Sequence, residues 1–450
     1  MRVKMRVSVL IILATVCVLF SACEYEATTG VDGVDDLNAT DIAMDSENGI
    51  VQLELAVMGK CYGPLYKFTT NFNLTHQDIA VKQITATADE VRTRTMADVL
   101  SGKGPDLLLV SRDDMERLYA YGAILPAEEL ISKETAGILL KGVLDYGSVE
   151  GKLVGVPPYI QGMQSFVARR DVISKDNFTL ERLMELKKTR KDVRRILTYP
   201  RGEMDIYYEF YALVGADLQH SKFLDWENGI SAFEKNGFTE VLELLKEESE
   251  AHVGGEALVT SGEVLAEFSG ANEPWQIFRA YSMYGNNGWL VGFPTEKGGK
   301  NYFQTDGLMV VNQNSPHKKE ISEFFEFILS LDNQRSSTDF LSVRPDVAEH
   351  SLVLTEERDR EGNVKGETWA WAIELNRGHE TTFLSVTGSK EELVAVYESV
   401  MQSLIADDRS EVEAVNIIWD EIEPYLEGKK NAQATVESID RRIQLYFDER

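Results

Sequence analysis

The side chains best suited to chemistry in this chain are scattered and form no catalytic signature. The six histidines (His76, His220, His252, His317, His350, His379) show no metal-ligand spacing, so no metal site is expected. There is no Gly-x-Ser-x-Gly elbow, no His-Glu-x-x-His, no phosphate loop and no dinucleotide fingerprint, so neither an enzyme nor a cofactor is expected. With 74 Asp and Glu residues, carboxylate pairs suited to glycoside hydrolysis arise by chance and discriminate nothing. Recognition chemistry remains. Large aromatics offer flat apolar faces with a polar tip, which suits recognition of a ligand with both kinds of surface. Trp275 in Asn272-Glu-Pro-Trp275 is one candidate, since Gly270 and Pro274 around it favour a loop over a core strand, and a core Trp is the other reading. Trp289 starts a strand and reads as core. Trp369 and Trp371 share a face if their segment is extended, and could line a cleft or pack on a helix.

These residues need a scaffold, and the chain supplies an α/β one. Val51, Leu53, Leu55 and Val57 alternate with Gln52, Glu54 and Ala56, the period of a strand. A helical stretch at 65–72, a strand at 79–84 and a helix at 91–100 follow. Ser101-Gly-Lys-Gly-Pro105 breaks that helix, and Leu107-Leu-Leu-Val110 is a continuous apolar run of the kind buried on both faces of a parallel sheet. Such sheets leave a ligand crevice beyond their carboxyl ends, so Ser111, Arg112 and Asp113 fall at its rim or in an ordinary surface loop. Residues 171–253 read as mostly helical. Short strands are expected at 264–268, 289–293 and 307–311, with an amphipathic helix at 318–330. Two C-terminal helices repeat one spacing, Val415, Ile418, Ile422, Tyr425 and then Val436, Ile439, Ile443, Tyr446, as packing elements do.

The chain has 450 residues, 43% of them hydrophobic and 27% charged, enough for two globular domains with large cores. A net charge of −28 argues against nucleic acid or an anionic lipid surface as partner. Met1–Arg6 carries three cations and precedes an uncharged apolar run, Val7–Phe20, that is too short to span a bilayer. This is the layout of an export signal. Leu19-Phe-Ser-Ala-Cys23 resembles a bacterial lipobox, which implies cleavage before Cys23 and lipidation of that residue. Cys17 would leave with the signal, and Cys61 would then stand without an intramolecular partner. Residues 24–48 are acidic, lack Lys and Arg, and read as a solvated tether.

Four ordered segments resemble the extracellular solute-binding proteins of ABC importers, in the carbohydrate-binding branch that includes maltose-binding protein. They are Leu100-Ser-Gly-Lys-Gly-Pro-Asp-Leu-Leu108; Glu150-Gly-Lys-Leu-Val-Gly-Val-Pro157; Ala212-Leu-Val-Gly-Ala-Asp217 with Phe223-Leu-Asp-Trp-Glu-Asn-Gly229; and Val291-Gly-Phe-Pro-Thr295 with Thr305-Asp-Gly-Leu-Met-Val310. The resemblance implies a two-lobed periplasmic-binding-protein-like α/β fold with a ligand cleft and about three crossing strands. It implies a signal peptide at 1–22, a tether at 23–49, a first lobe at 50–158 and 302–343, and a second at 159–301 and 344–450 carrying the packing helices. It places Trp275 where the family stacks an indole on sugar, and Tyr207, beside Tyr208, where a family tyrosine touches sugar; helix packing is the other reading of Tyr207. It further implies cleft contacts from Lys60 and Tyr62, with Ser111 and Asp113 adding polar contacts. The implied protein is a lipid-anchored monomer on the outer side of the cell membrane, which hands a sugar or oligosaccharide to ABC permease subunits. A receptor for a peptide or cationic solute, a surface carbohydrate-active enzyme and a sensor subunit are the alternatives.

Overall fold

The structure is a computed structural model that describes residues 49–58, 63–86, 88–200, 204–251, 258–335, 340–358, 364–375, 380–386, 388–407 and 412–449. The expected signal, tether, lipidation residue Cys23 and cleft residues Lys60 and Tyr62 lie outside the described residues.

The chain opens with β1 (Val51–Val57), α1 (Pro64–Thr75), β2 (Ile79–Thr85), α2 (Asp89–Leu100), β3 (Leu107–Val110), α3 (Arg112–Ala120) and β4 (Ile124–Leu125). It continues through β5 (Gly162–Arg169), α4 (Leu180–Thr189), β6 (Arg195–Thr198), α5 (Ile206–Leu213), α6 (Phe238–Glu250), β7 (Val264–Ala271), α7 (Pro274–Asn286) and β8 (Gly288–Leu290). Next come β9 (Asn301–Gln304), β10 (Leu308–Asn312), α8 (Lys318–Ile328), β11 (Leu352–Arg358), β12 (Val364–Leu375) and β13 (Glu380–Val386). The last elements are α9 (Lys390–Gln402), β14 (Leu404–Ala406), α10 (Val412–Leu426) and α11 (Ala432–Asp448).

Two sheets organise these elements. The first has the order β2-β1-β3-β10-β4, with β1, β2 and β3 parallel and β10 antiparallel to β3. The second has the order β14-β9-β5-β7-β6, and β8 also pairs with β5. The apolar run of β3 needs both faces covered, and it has them. Leu107 and Leu109 join one core cluster while Leu108 and Val110 join another, on the opposite face. β10 divides the same way, Met309 and Val311 against Leu308 and Val310.

The turn into β3 has a local cause. Gly102 and Gly104 take φ of +79° and +89°, where a side chain is strained. They let the Gly102 and Lys103 N–H groups close the end of α2 on the Val99 and Asp98 carbonyls. Asp106 then accepts the Glu54 N–H (2.9 Å) and the Ser315 hydroxyl (2.6 Å), tying β1 and the end of β10 to the turn.

A further core cluster, separate from the two on β3, gathers both C-terminal helices. Val415, Ile418, Ile422 and Tyr425 face Val436, Ile439, Ile443 and Tyr446 within it, beside buried residues of α5 and α6. Their spacing predicted that stripe. Two elements differ from the sequence reading. β6 lies inside the stretch read as mostly helical, because it takes its partner from β7, far along the chain. The charged region around residue 364 forms a three-stranded antiparallel sheet, β11-β12-β13. Trp369 and Trp371 fall on its extended middle strand, and Trp369 lies under the Lys390 ammonium, 5.6 Å from the ring centre.

Candidate functional site

The site is defined by which strand ends meet. β10 runs antiparallel to β3, with Leu308 opposite Val110, so the carboxyl ends of β1, β2 and β3 lie at the end where β10 begins. In the second sheet β6, β7, β9 and β14 run antiparallel to β5, and Gln304 and Ala271 sit at the Gly162 and Met163 end. The connections Pro157–Gln161 and Thr305–Gly307 join these two ends. Both sheets therefore point their carboxyl ends at the same pair of crossings, which is where an open α/β sheet leaves room for a ligand. A third pass runs alongside, where Leu341 exchanges backbone hydrogen bonds with Ile160. The return to the first lobe, expected at residue 302, meets β9, which hydrogen-bonds into the second sheet; the chain enters the first sheet at Leu308.

On the first-lobe side, Ser111 directly follows the carboxyl end of β3. It is exposed and caps α3, its hydroxyl oxygen accepting the Asp114 N–H at 3.2 Å. Asp113 is exposed in the first turn of the same helix. Arg112 instead folds back over the Tyr146 ring and donates to Glu116 at 2.8 Å, and buried Asp114 pairs with Arg92. The rim thus presents Ser111 and Asp113, while their neighbours hold the helix in place.

On the second-lobe side, Trp275 lies in the first turn of α7, immediately past the carboxyl end of β7. A loop was expected there. Pro274 sets the first helical φ, and the Gln276 side chain accepts the N–H groups of Asn272 (2.7 Å) and Glu273 (3.2 Å), so the helix begins earlier. Trp275 is half-buried and its indole N–H donates to Glu273, which fixes the ring. Tyr207 starts α5, where Asp205 caps the helix by accepting the Tyr207 N–H at 2.9 Å. Its ring meets Tyr208 edge-on at 5.5 Å and Trp419 of α10 at 5.0 Å. Trp275 packs on the core cluster that holds Leu107 and Leu109, and Tyr207 on the one that holds the C-terminal helices, so the two are set on different cores.

An aromatic chain that the sequence did not single out continues from Tyr207. Tyr208 meets Tyr199 at 6.2 Å, and Tyr199 meets Phe268 of β7 at 5.5 Å, all edge-to-face. All three rings are half-buried; Tyr199 directly follows the carboxyl end of β6, Tyr208 is on α5 and Phe268 lies in the middle of β7. Burial, helped by Tyr208 and Asp205, pushes the Tyr199 phenol up to about 12, so it stays a neutral hydrogen-bonding group. The only local signal for Tyr199 is its place before Pro200; nothing local marks Trp419. Trp289, read as core, is half-buried, with the Arg170 guanidinium 4.8 Å from its ring. Among the described residues no three His, Cys, Asp or Glu side chains group to hold a metal ion, and no helix is long and apolar enough to cross a membrane.

Residues 67–357 match the family of bacterial extracellular solute-binding proteins. The chain belongs to that family. Solved structures give the fold of this solute-binding protein independently. The sugar-binding protein MalE from Xanthomonas citri is similar at TM-score 0.54 and 16% identity, over 89% of this chain and 98% of that one. A cyclic α-maltosyl-1,6-maltose binding protein from Arthrobacter globiformis is similar at TM-score 0.51 and 14% identity, over 89% and 100%. An extracellular solute-binding protein family 1 member from Alicyclobacillus acidocaldarius is similar at TM-score 0.54 and 12% identity, over 90% and 100%. No curated protein matches the sequence. At these identities the likeness establishes the two-lobed α/β binding-protein fold, in agreement with the two sheets and their crossings.

Proposed function

We propose that this solute-binding protein captures a sugar or short oligosaccharide at the crossings between its two sheets and delivers it to the permease of an ABC importer. One observation carries the carbohydrate reading. Half-buried Trp275 and Tyr199 follow the strands β7 and β6, Tyr199 touches the Tyr207-Tyr208 pair through Tyr208, and exposed Ser111 and Asp113 follow the carboxyl end of β3. Flat apolar faces after the strands of one sheet and hydrogen-bonding groups after a strand of the other suit the two kinds of sugar surface. The sugar-binding names of two structural neighbours support the same reading.

Trp275 and Tyr207 stack on the solute, and Ser111, Asp113, Lys60 and Tyr62 supply polar contacts. The lobes divide near residues 158, 306 and 343 and close by rigid rotation about the crossings. Export removes residues 1–22, lipid on Cys23 anchors a monomer to the outer face of the membrane, and the acidic segment up to residue 49 tethers the body. The protein binds without turnover.

Titration of the soluble body with neutral oligosaccharides, read by Trp fluorescence, tests the assignment. Saturable quenching by at least one sugar is the expected result. Hydrolysis of a labelled polysaccharide, or binding of polyamines and peptides alone, overturns it. Membrane retention that survives Cys23→Ser overturns the anchor.

A further inference from the structure

Asp306 sits in the return crossing, between the end of β9 in one sheet and the start of β10 in the other. The backbone around it is fixed. The Gln161 N–H donates to the Gln304 carbonyl at 2.9 Å, and the Thr305 hydroxyl donates to the Tyr159 carbonyl at 3.2 Å, so the two crossings run side by side. Tyr159 has 1% of its surface exposed, with its ring against Phe68 of α1 and Phe340 of the third pass, at 6.4 and 5.4 Å. Its hydroxyl donates to Asp306 Oδ2.

The Asp306 carboxylate is half-buried, and no ion pair reaches it among the described residues. Burial raises its pKa, a push the Tyr159 hydrogen bond only partly opposes. A carboxylate stripped of water and given one neutral donor is costly to keep, since it has about four lone-pair sites to satisfy. The cost is relieved when a ligand brings donors. Asp306 stands at the one place where the carboxyl ends of both sheets converge.

We propose that Asp306 is a specificity-determining residue of the cleft, whose carboxylate, oriented by Tyr159, accepts hydroxyl hydrogen bonds from a neutral polyhydroxylated solute. This rests on the carbohydrate reading above. Two adjacent sugar hydroxyls match the two oxygens of one carboxylate, and hydrogen bonds to an ionised acceptor are roughly twice as strong as neutral ones. A solute lacking those hydroxyls leaves the carboxylate buried and unmet, and is rejected.

Calorimetric titration of wild type, Asp306→Asn and Tyr159→Phe with a panel of neutral oligosaccharides and a linear polyamine tests this, with melting curves for each protein. For the sugar that wild type binds, Asp306→Asn is expected to lose about tenfold or more in affinity with its melting temperature maintained, and Tyr159→Phe to lose less. Wild-type affinity should fall as pH drops through the raised value of Asp306, while Asp306→Asn stays flat. Sugar binding by wild type with Asp306→Asn unchanged overturns this proposal alone. Binding of the polyamine only, or of nothing, overturns the carbohydrate reading and this proposal with it. Should Asp306→Asn fail to fold, the wild-type pH profile and Tyr159→Phe decide: a flat profile with unchanged Tyr159→Phe affinity overturns the proposal.

Discussion

Arg195 and Glu209 form a buried ion pair, Nη2 to Oε2 at 2.6 Å, beneath the helix that carries Tyr207. Glu248 of α6 lies beside them, accepting the Ile196 N–H at 2.9 Å and pairing with the Lys187 ammonium at 2.7 Å. Two carboxylates so close cannot both ionise cheaply. Burial first, and Glu248 second, hold the Glu209 carboxyl well above its ordinary value.

A carboxyl whose folded pKa exceeds its unfolded one stabilises the protein fully below the unfolded value. That contribution is lost as pH rises through the folded value. Glu209→Gln keeps an acceptor for Arg195 and removes the titration. Its melting temperature should therefore fall less than that of wild type as pH rises above the ordinary carboxylate value. Arg195→Met, which strips the acids of their buried cation, should cost about 3–5 kcal/mol in urea unfolding.

Trp275→Ala should weaken binding of a confirmed sugar by at least about tenfold, or 1.4 kcal/mol. Trp226 is the matched control. Its ring meets Phe447 at 5.0 Å under the C-terminal helices, away from the crossings. Trp226→Phe should leave the affinity unchanged in the same titration.

Gly307 has a φ of +154°, and a Cβ there would lie 2.7 Å from the Val110 carbonyl oxygen. Gly307→Ala must displace the crossing backbone. The expected cost is about 1–3 kcal/mol in thermal or denaturant unfolding, with ligand-induced compaction reduced in small-angle scattering.

Asp440 pins α11 to the segment before α6. It accepts the Ser231 hydroxyl at 2.5 Å and the N–H groups of Phe233 and Glu234, both at 2.9 Å. Asp440→Ala leaves these donors unmet and should cost about 1–3 kcal/mol while sparing sugar affinity, as paired melting and titration curves would show.

Local pattern made much of this molecule legible. The alternation in Val51–Val57, the four apolar residues of β3, the glycines before it and the stripe on each C-terminal helix are set by near-neighbour geometry and by the need to bury one face or two. Trp275 was singled out as a candidate because a proline and a family segment mark it. β6 was missed because Arg195 looks like a surface residue until Glu209 and Glu248 are seen beside it.

The sequence by itself determined the strand and helix periods and the kinds of side chain offered for recognition, because each depends on residues close along the chain. Tertiary structure alone decided that Tyr199, Phe268 and Trp419 join Tyr207 and Tyr208 in one run of ring contacts, and that Asp306 sits between two sheets with only a phenol for company among the described residues. Apart from Tyr208 with Tyr199 and Tyr207, those contacts join positions 69 to 212 residues apart, and no short-range rule of spacing encodes which distant partners the packed core brings together.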